Sequence, residues 1–295
     1  MKRNYTGPIA LIIVVILIVF LGFLLFRGNG SDLPEANQGQ GRIFFSITDD
    51  TADIESVKEV SLEVKEIEVY NEAQGWTTIS SDERKYDLLK LKSEGKAELH
   101  TADAVDVGEY DKVRLTLGDV VIDHESRGEV DATLPSSQIV FNTNIQVRNQ
   151  EDSYIEIDFI ADESLHITTD NEYIFAAVVE VQTRNGAEIE ISDKDRAVTV
   201  SGSSVDSTVQ VGVDLTGETK ENFKLDSSAG LNVDVTTTEG TRFMLGNQVY
   251  LSGQTASNSE GNNELMKEDT GSVSGILNDN AEGSVDSGTD IDVGI

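Results

Sequence analysis

Residues 8–26, PIALIIVVILIVFLGFLLF, carry no charged side chain and almost no polar one. About 19 apolar residues at about 1.5 Å of rise each match the ~30 Å hydrocarbon core of a bilayer. In lipid a single segment satisfies its own backbone only as a helix, so the run predicts one transmembrane helix. Lys2 and Arg3 precede it, whereas Arg27 alone follows before Asp32 and Glu35. Lys and Arg stay on the cytoplasmic side. That places residues 1–7 inside and everything after the helix outside the cell membrane, as a single-pass, extracytoplasmic protein. A cleaved signal peptide competes with this reading, but its apolar core runs about 7–15 residues and ends at small residues. Here the run ends Leu24-Leu25-Phe26-Arg27, which favours an uncleaved signal-anchor. With no cysteine in the chain, a lipoprotein anchor is excluded.

The absence of cysteine also removes disulfides, thiolate metal sites and cysteine nucleophiles. The body must therefore hold itself by packing or by bound ions. The chain has 54 Asp and Glu against 22 Lys and Arg, a formal net charge of −32. Nucleic acid is excluded as a partner, because phosphate contacts need clustered Lys and Arg. The acidity reads first as solubility and second as cation binding.

Residues 27–41 are a Gly, Asn and Gln-rich linker without apolar period. From Arg42 onward the pattern is one of short strands. Val113, Leu115 and Leu117 alternate with Arg114 and Thr116, and Ile155, Ile157 and Phe159 alternate with Glu156 and Asp158. Residues 173–181 are apolar on both faces, as in a central strand. Residues 57–70 fit two descriptions. Val57, Val60, Val64 and Ile67 lie on a helical stripe, while Val60, Leu62, Val64, Ile67 and Val69 fit a strand whose phase slips at Lys65-Glu66. Strands separated by Gly, Asp, Asn and Ser turns, without long amphipathic helices between them, predict an all-β fold, an antiparallel β-sandwich over residues 42–191. Residues 192–251 form a thinner β-rich extension, in which Val209, Val211 and Val213 alternate. Residues 252–295 are mostly Ser, Gly, Asn, Asp and Glu and predict an acidic disordered tail.

Several of these segments, in this order, also carry a resemblance. They are Ser46-Ile47-Thr48-Asp49-Asp50, Gly75-Trp76-Thr77-Thr78-Ile79, Tyr86-Asp87-Leu88-Leu89-Lys90-Leu91 and Gly108-Glu109-Tyr110-Asp111-Lys112-Val113-Arg114-Leu115, then Ile157-Asp158-Phe159 with Ser164, and Tyr173-Ile174-Phe175-Ala176-Ala177-Val178. Over about residues 42–182 the chain resembles an exported domain family catalogued as domain of unknown function 4382. The resemblance implies a transthyretin-like or Ig-like β-sandwich and a strand at residues 57–70. It implies no activity and no catalytic residues. Two prolines usual in the family, in the opening turn and before the last strand, are absent here.

The motif residues read structurally before they read chemically. Trp76, the only Trp, sits beside a Gly turn as a packing anchor rather than a sugar platform. Asp87 and Arg114 are expected to form a turn cap or an ion pair, and Tyr110 to bond back to the backbone as a corner tyrosine. His100, His124 and His166 show no zinc-ligand spacing, and no nucleophile elbow or phosphate loop is present. Calcium is the one inorganic candidate: Asp49, Asp50 and Asp53 share one loop, and Asp158, Asp162 and Glu163 cluster after a strand, offering hard oxygen ligands. The leading expectation is thus a membrane-anchored, non-enzymatic surface binding or envelope-scaffold module, its partner a cell-envelope protein or polysaccharide. The alternative is a carboxylate-dependent hydrolase of cell-surface polysaccharide. A third reading makes the sandwich a spacer between tether and tail.

Overall fold

Alternation decides which residues meet. In the strand over residues 108–124, Val113, Leu115 and Leu117 are buried while Arg114 and Thr116 stand on the other face. The computed structural model describes residues 33–49, 54–237 and 240–252. Nineteen strands are described within these residues. One sheet runs β5 (Glu98–Asp106), β1 (Gln40–Thr48), β9 (Asp152–Phe159), β12 (Val178–Asn185), β15 (Ser207–Val213) and β16 (Thr219–Glu221). In the other, β3 (Gly75–Ser80) and β4 (Arg84–Asp87) pair with β2 (Val57–Asn71), which pairs with β6 (Gly108–His124). Then β6 pairs with both β8 (Gln138–Val147) and β7 (Gly128–Thr133), and β7 leads to β11 (Tyr173–Phe175) and β10 (Leu165–Ile167). A hairpin of β13 (Glu188–Ile191) and β14 (Val198–Ser201) and a three-stranded sheet of β17 (Leu231–Thr237), β18 (Gly240–Leu245) and β19 (Gln248–Ser252) complete the strands. The helices are α1 (Leu88–Glu94) and α2 (Ala161–Ser164).

The two large sheets share one core. Ile43, Phe45 and Ile47 of β1 and Ile155, Ile157 and Phe159 of β9 join Val60, Leu62, Leu115 and Ile122 from the opposite sheet in one buried cluster. β1 is covered on both faces. Its Phe44 turns the other way, into a cluster with Leu99 and Tyr154 under Ile189, Ile191 and Val198 of the β13–β14 hairpin. A smaller cluster of Ile174, Leu215, Leu231 and Phe243 ties the three-stranded sheet to β11. Residues 57–70, ambiguous by period, lie in β2, whose pairing with β6 shifts register between Val64 and Glu66, where the apolar phase slips.

Two expectations need correction. The sandwich is mixed, not antiparallel: β1 runs parallel to β9, with Phe44 opposite Tyr154, and β11 runs parallel to β7. Alternation marks a strand and its buried face but carries no direction, so it cannot distinguish the two pairings. The second correction concerns the membrane. Among the described residues no helix is long and apolar enough to cross a bilayer, α1 having 7 residues and α2 having 4. Residues 8–26 themselves lie outside the described residues. The single-pass anchor, the membrane as partner, the extracytoplasmic location and the surface or envelope role built on them are therefore withdrawn.

Candidate functional site

At the end of the sandwich where β1 begins, loops from four parts of the chain surround a cleft of about 540 Å³. Arg42 on β1, Arg148 and Glu151 on the β8–β9 connection, Asp152 at the start of β9, Asn185 at the end of β12 and Ser203 after β14 all line it. The backbone fixes these loops. Gln150 takes φ of 59° and donates its N–H to the Gln40 carbonyl at 2.7 Å, and the Arg42 N–H reaches the Glu151 carbonyl at 3.0 Å. Gly41 is required here, because a Cβ would stand 2.8 Å from the Glu151 carbonyl oxygen and from Val147 Cγ1. Gly186 turns the connection between β12 and β13 at φ of 66°, a conformation that side chains resist.

Side chains in the cleft are held in matched pairs. Arg42 Nε and Nη2 donate to the two Asp152 carboxylate oxygens at 2.7 and 2.6 Å, a fork that fixes both groups. Arg148 lies 3.6 Å from Glu151 and donates to Gln146 Oε1 at 3.0 Å. Asn185 accepts from the Gln146 N–H at 3.0 Å. Ser203 Oγ is buried without a hydrogen-bond partner among the described residues, and none of the three histidines lines the cleft. Two guanidiniums are answered by two carboxylates, so donors and acceptors alternate with little local net charge. Such a surface suits groups that both donate and accept, as hydroxyls do.

The residues singled out in sequence lie elsewhere. Arg114 forks onto Glu68 across the β2–β6 pair, Nη2 to Oε1 at 2.6 Å, and stacks 4.3 Å over the Trp76 ring, itself edge-on to Tyr70. Asp87 caps α1 by accepting from the Lys90 N–H at 3.2 Å, and burial raises its carboxyl pKa. The Tyr110 hydroxyl donates to the Asp106 carbonyl, four residues upstream, at 3.0 Å. Of the calcium candidates, Asp50 and Asp53 fall outside the described residues. Asp49 is buried, and the parallel register sets Thr48 beside Asp158, while Asp162 and Glu163 lie in α2, where Glu163 accepts from Lys224 at 2.9 Å. Among the described residues no group of three or more His, Asp or Glu is placed to hold a metal ion. The cleft residues were missed because they sit in ordinary polar turns and at strand ends; the only signal is the pair of polar runs Arg148-Asn149-Gln150-Glu151-Asp152 and Arg184-Asn185-Gly186.

His100 has a different use. It is fully buried, with Nδ1 2.8 Å from the Tyr86 hydroxyl, and burial, aided by Arg84 and Arg196, lowers its pKa from 6.5 to about 4. Above pH 6.5 the ring is neutral in both folded and unfolded chains and contributes nothing. As pH falls from 6.5 toward 4, only the unfolded chain takes up the proton, so stability is lost. That loss is expected to be about 2 kcal/mol between pH 7 and pH 5. Urea unfolding of the wild type and of His100→Gln at both pH values measures it, the variant showing the smaller pH dependence.

Two facing sheets with a loop-lined polar cleft at one end define a β-sandwich module. Residues 40–177 match the family described as Domain of unknown function (DUF4382). The cleft extends beyond the matched region, since Asn185 and Ser203 lie after it. No curated protein and no solved structure matches the chain.

Proposed function

We propose that the sandwich is a non-enzymatic binding module whose cleft takes a neutral, hydroxyl-rich ligand of the oligosaccharide class. The observation that supports this reading is the Arg42–Asp152 fork on the cleft wall, flanked by Arg148, Glu151 and Asn185. Its charges are already answered, so the wall offers oriented donors and acceptors rather than a net field. Polar groups held by neighbours lose little freedom on binding, and rejection of molecules lacking hydroxyls follows from leaving those groups unpaired. An immobilised panel of neutral oligosaccharides, probed with the full chain, tests the reading. Retention by a subset of glycans without release of reducing ends supports it; retention of none, or turnover, contradicts it.

A further inference from the structure

The edge where the sheets meet between β4 and β5 gathers cations in a chain that is otherwise strongly acidic. Register explains the gathering. On β5, Thr101 lies opposite Phe45 and Leu99 opposite Ser46, so His100 is an extra residue, a bulge. Bulges re-aim side chains, and this one turns His100 into the protein against Tyr86. Arg84 precedes Tyr86 by two residues on β4, opposite Val64, and so shares its inward face. Arg196 approaches from the other side of β5. At φ of 55° it donates Nε to the Leu99 carbonyl at 3.0 Å and Nη2 to the His100 carbonyl at 3.2 Å.

The pairing of this cluster is incomplete. Arg84 Nη2 is 3.9 Å from Asp82, too far for a hydrogen bond, and the Asp82 side chain is 76% exposed. Arg84 Nε and His100 Nε2 are both buried without a hydrogen-bond partner among the described residues. When the Tyr86 hydroxyl donates to Nδ1, the tautomer an anion beside Nε2 selects, the neutral imidazole carries its proton on Nε2 and presents a second buried donor. Burial first, and then the charge of Arg84, lowers the pKa of Arg196, against the weaker pull of Glu98 and Asp82. The charge of each guanidinium thus disfavours the other.

We propose that Arg84, Arg196 and His100 form a binding site for one compact oxyanion, a phosphate or sulfate group. The anion accepts from the unpartnered Arg84 Nε–H and His100 Nε2–H and lies between the two cations. Guanidinium forks match the spacing of such oxygens, and a low-dielectric surrounding strengthens the contact. The site lies apart from the cleft and shares no residue with it, so either can fail alone.

Calorimetric titration of the full chain with inorganic phosphate, and separately with sulfate, in chloride buffer of matched ionic strength is the test. One equivalent is expected to bind with Kd below about 1 mM. Arg84→Gln should weaken it about tenfold or more, the consequence of losing a charge-assisted donor. In the unsubstituted chain, phosphate should shift the imidazole nitrogen resonances of His100 and leave those of His124 in place, a readout that does not depend on any variant folding. Equal responses to both ions support a general oxyanion site, and a response to phosphate alone supports a phosphate-ester ligand. Absence of both heat and a His100 shift, or unchanged affinity in a folded Arg84→Gln chain, overturns the proposal.

Discussion

Phe45→Ala is expected to lower the unfolding free energy by about 4 kcal/mol. Phe45 has no exposed surface and sits in the core between the two large sheets. Its strand is hydrogen-bonded on both sides, to β5 and β9, and its other face is covered by the cluster around Phe44. A strand pinned in this way cannot move into the void, so the cavity term adds to the lost transfer energy. Urea unfolding followed by Trp76 fluorescence measures the change. Val140→Ala, at a position 38% exposed on β8, should stay within about 0.5 kcal/mol. A loss at Phe45 no larger than that at Val140 would contradict the placement of the inter-sheet core.

Glu68→Gln is expected to cost about 3 kcal/mol, because it leaves Arg114 charged in a poorly solvated place. The side chains of Arg114 and Glu68 are only 17% and 11% exposed, and Trp76 covers the guanidinium. Arg114→Met should also destabilise by stranding Glu68. The double variant should recover much of the combined loss, since removing both charges removes their desolvation cost and leaves neither charge unpaired. A double-mutant cycle in urea reads the coupling directly, and additive losses would mean that the pair is not coupled.

Much of the architecture is legible in the chain, and the limits are physical. Alternation at Val113, Leu115 and Leu117 identifies a strand and its buried face, and the slip at Lys65-Glu66 matches the register shift between Val64 and Glu66. Direction and partner are not legible. Nothing in residues 40–48 says that β1 will run parallel to a strand more than 100 residues later, and the alternation of Val209, Val211 and Val213 does not say that β15 will pair with β12. Arg114 is visible as a charge inside an apolar strand, but its partner Glu68 follows only from cross-strand register. The cleft is harder still. Its residues come from separated turns and strand ends whose polar composition is what any exposed turn has, and only the fold brings them together. The orientation of His100 is not legible either, because a one-residue bulge decides which way it faces.

The polar cleft at the start of β1 is the proposed binding surface. Amide chemical-shift mapping of the full chain, titrated with an oligosaccharide retained in the panel, addresses it most directly. Shifts are expected to concentrate at Gly41, Arg42, Gln150, Glu151, Asn185 and Gly186, with β6 and the β17–β19 sheet undisturbed. Saturable shifts confined to another surface, with these six amides unmoved, would contradict it.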